Sequence, residues 1–104
     1  MTEVIGNVTA AIAAAGYVSA LKIQVPPHIT NLLIHIVENN VQSVYYKILG
    51  QTRAGGEEQV LKAQTLIAQD GSTWETLSDP WLYVDVQILD GAGHGSVNID
   101  ITGN

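Results

Sequence analysis

Residues 70–90, DGSTWETLSDPWLYVDVQILD, decide the fold that this sequence predicts. The stretch begins with a turn signal at Asp70, presents an aromatic ring at Trp74, and turns again at residues 78–80. The following residues alternate between apolar and other side chains, and this period of two places one set on each face of a sheet. The apolar set is Leu82, Val84, Val86 and Ile88. The stretch therefore predicts a turn, a packing ring and a strand whose neighbours supply the rest of a core.

The same alternation occurs on both sides of that stretch. It is visible in residues 17–25, 41–49, 59–69 and 96–102, and it is cleanest in the last of these. Residues 59–69 are also compatible with a short helix, but their β-branched residues and the turn that follows favour a strand. Seven or eight strands of about 5 to 10 residues, with turn signals about every 8 to 12, are typical of an antiparallel β-sandwich or jelly roll. We therefore predict an all-β fold of that kind.

The N-terminal residues give a mixed signal. In residues 3–15 the alanines favour a helix, whereas the β-branched residues favour an extended chain, and we expect a strand or an arm. Gly16 ends this segment, and no linker divides the residues that follow. We predict that residues 1–16 form an N-terminal arm or first strand and that residues 17–104 form a single β-sandwich domain.

Residues 29–38 are apolar at both odd and even positions. Since a strand buried on one side alone would keep a polar face, we expect both faces to be covered, one of them by a second layer or a partner subunit. Asn39 and Asn40 are a good turn signal, so residues 41–49 should pair with this strand as a hairpin. The glycine-rich residues 90–95 should form another hairpin turn.

The composition limits the possible partners. Charged residues make up 13% of the chain, about half of the roughly 25% that is usual for soluble domains. A surface with so few charges suggests that neighbouring subunits cover part of it. The net charge is −6, and the four cations form no cluster, so a nucleic-acid partner is excluded.

Other absences in the sequence restrict the chemistry. The chain has no cysteine, which excludes disulfides and thiolate sites. The alanine-rich run at residues 10–15 is too short and too weakly apolar to cross a membrane, and no basic segment precedes it. We expect a soluble protein made in the cytoplasm without an export signal, with no membrane partner.

The histidines do not suggest a metal or catalytic site. His28, His35 and His94 lack the spacing that would place two ligands on one face, and residues 90–96 are too close in sequence for a catalytic triad. Calcium binding by loop acids stays open, although neither glycine turn has the alternating acids of a calcium loop. We predict no cofactor and no enzymatic activity. His35, within the most apolar strand, needs a hydrogen-bond partner or an interface.

The aromatic residues suggest an interface. Tyr and Trp each carry a polar atom that needs a hydrogen-bond partner, so such rings are common at the rim of a core and at protein–protein interfaces. Alternatively, Trp74, Trp81 and Tyr83 form a flat platform for a glycan. The residues that we expect at an interface are Ile29, Leu33, His35, Val37, Tyr45, Trp74, Trp81 and Tyr83.

Four segments resemble those of a known group of proteins. They are YYKILGQ at 45–51, DGSTWETL at 70–77, PWLYVDVQI at 80–88 and SVNIDITG at 96–103. Their order resembles the small β-sandwich proteins of tailed-phage virions, in particular head decoration or cement proteins. The resemblance implies a non-enzymatic subunit, commonly a trimer, that sits on the capsid surface and braces the major capsid protein. It identifies no individual binding residue.

Two functions from different classes follow. The first is a structural protein that forms a homo-oligomer and stabilises a larger assembly, most simply a phage capsid. The alternative is a carbohydrate-binding or adhesion module. The alternation also predicts that Val84→Asp abolishes folding, whereas Asp85→Ala costs little unless Asp85 pairs with a cation.

Overall fold

The computed structural model describes residues 3–11, 18–39, 44–68, 71–78, 81–89 and 96–104. The expected turns at Asn40, Asp70, 79–80 and 90–95 lie outside the described residues. The described chain forms eight strands, and none of its segments is a helix long and apolar enough to cross a membrane. The strands are β1 (Glu3–Ala11), β2 (Val18–Gln24), β3 (Leu32–Asn39), β4 (Val44–Gln51), β5 (Gln59–Ile67), β6 (Ser72–Leu77), β7 (Tyr83–Leu89) and β8 (Ser96–Gly103).

The strands form two four-stranded antiparallel sheets. Sheet A has the order β1-β8-β3-β6, and sheet B has the order β2-β7-β4-β5. This confirms the predicted antiparallel β-sandwich. The strand order is that of a jelly roll, an eight-stranded fold made of two sheets.

The predicted hairpins are wrong. Strands β3 and β4 lie in different sheets, and so do β7 and β8, so neither pair of strands forms a hairpin. The only consecutive strands that pair among those described are β4 and β5. Every other connection crosses from one sheet to the other. Alternation shows which side chains of a strand share a face, but it does not show which other strand pairs with it. The hairpin predictions were wrong for this reason.

The core lies between the sheets. The predicted register of β7 is confirmed, because Val84, Val86 and Ile88 are buried. They pack against the inward residues of the neighbouring and facing strands, which are Ile34, Ile36, Val44, Tyr46, Ile48, Val97, Ile99 and Ile101. Burial of these branched side chains is the main stabilising contribution, at about 1.5–3 kcal/mol for each fully buried residue.

Within the single chain, one face of the strand expected to be covered on both is buried, and cover of the other face by a partner subunit stays a prediction. Ile34 and Ile36 are inward and fully buried, whereas Leu33, His35 and Val37 lie on the outward face and are partly exposed. Ile29, which we expected at an interface, is 6% exposed and belongs to the core. It precedes β3 and packs over Gly103, where a Cβ atom would lie 2.7 Å from Ile29 Cγ2. Ile29 is therefore a core residue of the monomer.

The two sides of the sandwich close in different ways. On the β1–β2 side, Gly6 of β1 lets Ile23 approach closely, since a Cβ atom on Gly6 would lie 2.9 Å from Ile23 Cγ2. On the β5–β6 side, the contact is polar. Tyr46 Oη donates to Glu75 Oε1 at 2.5 Å, and Lys62 Nζ lies 3.4 Å from the same oxygen. Glu75 thus joins sheet A to sheet B.

Candidate functional site

The outward face of sheet A carries a row of polar and aromatic side chains. Register places Asn7 of β1 opposite Asp100 of β8, Asp100 opposite His35 of β3, and His35 opposite Trp74 of β6. Because directly opposite residues have Cβ atoms only about 4.5–5.5 Å apart, the four side chains cross the whole sheet in contact range. We call this set the sheet A row.

His35 and Trp74 form a stacked pair at the end of this row. Their ring centroids are 3.7 Å apart and their planes differ by 8°. Trp74 is nevertheless 58% exposed, and β6 is the edge strand of sheet A. His35 therefore covers one face of the indole, and the opposite face meets solvent beyond the sheet edge. Stacking holds the indole in one orientation without burying it.

Hydrogen bonds fix the other end of the row. The Asn7 side-chain amide donates to Asp100 Oδ1, and the same nitrogen lies 3.3 Å from Asn98 Oδ1. The Asn7 amide thus donates to both Asp100 and Asn98 on the solvent-exposed face of sheet A. The row is pre-organised from β1 to β6.

A groove of about 390 Å³ lies beside the row on the same face. It begins at Leu33, Thr76 and Thr102, each two residues along its strand from a member of the row, a distance of about 7 Å. Backbone bonds between Asn31 and Asn104, at 3.1 Å in both directions, hold its end. Leu32, Leu33 and Leu77 give most of its exposed lining an apolar character, and its polar groups come from Asn31, Thr76, Ser78, Thr102 and Asn104.

The outward face of sheet B has a different chemistry. Tyr45 of β4 lies opposite Leu89 of β7 on one side and Leu66 of β5 on the other. Tyr45 is 38% exposed, Leu66 is 53% exposed, and Val60, further along β5, is 63% exposed. We call Tyr45, Leu66, Leu89 and Val60 the sheet B patch. Strand β5 is an edge strand, so the patch extends to the limit of the sheet.

The centre of sheet B is polar. Asp85 is 6% exposed although it points outward from β7. It accepts hydrogen bonds from Ser19 Oγ at 2.6 Å and Gln87 Nε2 at 2.9 Å. Lys22, directly opposite Asp85 on β2, places its ammonium 5.5 Å from the centre of the Tyr83 ring. Tyr83 therefore belongs to this polar group.

The predicted three-ring platform does not form. Trp74 lies on the outward face of sheet A, Tyr83 on the outward face of sheet B, and Trp81 is half-buried against the core. A Cβ atom on Gly50 would lie 2.8 Å from Trp81 Cε3, so the glycine makes room for the indole. Because strands β6 and β7 belong to different sheets, the rings that are close in sequence are separated in space.

The other predicted interface residues remain accessible in part. Leu33, His35 and Val37 lie on the outward face of sheet A, and Tyr45 lies in the sheet B patch. The sequence reasoning missed the groove and the Glu75 contact. Alternation around Trp74 indicates that Glu75 faces inward, but nothing in the sequence shows that Tyr46 faces it from the other sheet.

The described histidines have identified contacts. His35 stacks on Trp74, and His28 Nε2 contacts Glu3 Oε1 at the surface. His94 lies outside the described residues. Within the described ranges, no group of three or more His, Asp or Glu side chains is placed to hold a metal ion.

Several solved structures have a similar fold. The SPBc2 prophage-derived protein YomS has a TM-score of 0.63 at 12% identity, over 99% of this chain and 94% of that chain. PirA has a TM-score of 0.61 at 12% identity, over 95% and 92%. A protein from Bacillus endospore appendages that form disulfide-linked pili has a TM-score of 0.59 at 13% identity, over 100% and 87%. At these identities the likeness shows the β-sandwich fold alone.

No protein-family model matches the sequence, and no curated protein matches it.

Proposed function

We propose that the protein is a non-enzymatic structural subunit that associates with copies of itself and then attaches to a larger protein lattice, most simply the capsid surface of a phage virion. The observation that carries this proposal is the sheet B patch. It exposes Tyr45 and Leu66 directly opposite each other, with Val60 further along edge strand β5. Exposed apolar side chains grouped on one face mark protein–protein contacts.

A second copy of this chain is the partner that fits the sheet B patch. The patch presents apolar side chains with no hydrogen-bonding group except the Tyr45 hydroxyl, which suits burial against an equally apolar surface. Edge strand β5 adds backbone groups that a neighbouring strand can pair with. A closed oligomer would cover both, and we expect the trimer that the resemblance to head decoration proteins implies.

The fold and the composition support an assembly role. A protein of the endospore appendages, which form disulfide-linked pili, has this fold, as does a prophage-derived protein. The present chain has no cysteine, so its association must rest on non-covalent burial. Its low charge is consistent with a surface that neighbours cover.

Size-exclusion chromatography with light scattering at micromolar concentration tests the proposal. We expect a mass three times that of the chain, and a monomer for Leu66→Asp, because burying an unpaired carboxylate in the contact is costly. Thr9→Asp adds the same charge at an exposed strand position of sheet A and should leave the trimer intact. A wild-type protein that stays monomeric, or a Leu66→Asp variant that stays oligomeric, would contradict the proposal. Attachment to a lattice is tested by co-sedimentation with capsids that lack the protein.

A further inference from the structure

We propose that the outward face of sheet A is a binding site for a neutral oligosaccharide, formed by Trp74 and the adjoining groove. This site is separate from the sheet B patch, and it is not part of the assembly role proposed above. It rests on three features of the described residues: a fixed and exposed indole, a groove lined by leucines together with hydroxyl and amide groups, and the absence of Lys and Arg from this face.

The indole of Trp74 is suited to a sugar ring. The His35 stack occupies one face and fixes the orientation, while the other face meets solvent. An aromatic face carries partial negative charge and attracts the partially positive C–H groups on the flat side of a pyranose. Since the ring is already held, little conformational entropy is lost when a ligand stacks on it.

The groove supplies the hydrogen bonds. Thr76, Thr102 and Ser78 contribute hydroxyls, and Asn31 contributes a side-chain amide; all of these groups donate and accept. Sugar hydroxyls also donate and accept, and the flat C–H sides of sugar rings can pack on Leu32, Leu33 and Leu77, so the mixed lining complements a glycan. The volume of about 390 Å³ lies at the lower end of the roughly 300–1,000 Å³ that is usual for small-ligand sites.

The positions of these parts favour a chain of sugars over a single unit. Thr76 follows Trp74 by two residues on β6, so the groove begins about 7 Å from the indole. One sugar unit stacked on Trp74 would place the next over Thr76 and Leu33. The ligand would therefore run along the β6 edge of the sheet.

Charge excludes anionic ligands. All four Lys and Arg residues of the chain lie on strands of sheet B or in the loop between β4 and β5. No strand of sheet A carries a Lys or Arg, and Lys62, which reaches β6 from sheet B, is paired with Glu75. Asp100 adds negative charge beside His35. Phosphorylated or sulfated ligands need cations for recognition, so a neutral glycan is the class that remains.

Isothermal titration with maltotetraose, cellotetraose, mannotetraose and chitotetraose tests the site. We expect the wild-type protein to bind at least one of the four and Trp74→Ala to weaken that binding by about tenfold or more. Thr76→Val, which removes a groove hydroxyl while keeping the shape, should weaken it severalfold. Gln24→Ala, at an exposed position of β2 on the opposite sheet and outside the sheet B patch, should leave it unchanged.

Three outcomes would overturn the proposal: no binding of any of the four at millimolar concentration, unchanged binding in both Trp74→Ala and Thr76→Val, or binding that is lost in Gln24→Ala. Near-ultraviolet circular dichroism of each variant shows that the fold is retained. The oligomer mass measured by light scattering is a separate readout, so failure of this site and failure of the assembly role are distinguishable.

Discussion

The two outward faces of the sandwich differ in chemistry although their strands share the same architecture. Sheet A presents Asn7, Asp100, His35 and Trp74 in one connected row, with a groove beside it and no Lys or Arg. Sheet B presents a patch of exposed apolar side chains and, at its centre, the buried carboxylate of Asp85. The inward faces of both sheets are mainly apolar. Because the inward residues must fill a shared core, the two sheets can differ in chemistry mainly through their outward residues.

The largest effect on stability should come from placing a charge on the inward, core-facing side of a strand. Val84 is fully buried on β7, and Val84→Asp would place an unpaired charge among branched side chains. The cost should exceed the total stability of a small domain, which is about 5–15 kcal/mol at most. We expect no cooperative unfolding transition by circular dichroism. A variant that melts near the wild-type temperature would contradict the register of β7.

A smaller effect should come from the polar centre of sheet B. Asp85→Ala removes the acceptor for Ser19 and Gln87, and we expect a loss of about 1–2 kcal/mol in the free energy of unfolding. This revises the expectation from sequence that the change would cost little. Urea denaturation measures it, with Gln24→Ala on the exposed edge strand β2 as the control. Equal stability of the two variants would show that the Asp85 contacts are not stabilising.

The contact that joins the two sheets should show a distinctive pH dependence. Burial, assisted by the hydrogen bond to Glu75, raises the pKa of Tyr46 above its usual value near 10. The folded state holds the Tyr46 hydroxyl proton more tightly than the unfolded state does. The contribution of this group to the free energy of unfolding is therefore fully present below about pH 10 and is lost as the pH rises through the raised pKa. Tyr46→Phe should lower stability at neutral pH by about 1 kcal/mol.

The measurement is urea denaturation of both proteins from pH 7 to pH 11. The gap in unfolding free energy between wild type and Tyr46→Phe should narrow above pH 10, since the wild type alone loses this contribution. A gap that stays constant over that range would contradict the assigned burial of the Tyr46 hydroxyl.

The smallest effects on the stability of the monomer should come from the outward residues. Leu66→Asp and Trp74→Ala replace side chains that are more than half exposed, so each should change the unfolding free energy by about 0.5 kcal/mol or less at high dilution. At higher concentration the wild type should gain thermal stability by association, whereas Leu66→Asp should not. If the thermal stability of the wild type and of Leu66→Asp depended on concentration in the same way, the sheet B patch would not be the association surface.

The sequence predicts the strands and their inward residues well, because a period of two is a local property. Val84, Val86 and Ile88 alternate with outward residues as the pattern indicates. Strand neighbours are not local. Asn39 and Asn40 have the composition of a hairpin turn, yet β3 and β4 lie in different sheets. The register within a strand is therefore readable, whereas the sheet to which the strand belongs is not.

The functional surfaces were only partly predictable for the same reason. Trp74 and Tyr45, which we expected at an interface, are both exposed, and their place in an interface stays a prediction. The separation of Trp74 from Tyr83, the burial of Ile29 against Gly103, and the meeting of Tyr46 with Glu75 all depend on how the sheets face each other. No periodic pattern encodes that arrangement.

Hydrogen exchange at two protein concentrations tests most directly whether the two faces have different roles. Strands β5 and β6 are both edge strands, one beside the sheet B patch and the other beside Trp74. We predict that raising the concentration slows amide exchange in β5 and leaves exchange in β6 unchanged. Slower exchange in β6 with no change in β5 would contradict the account.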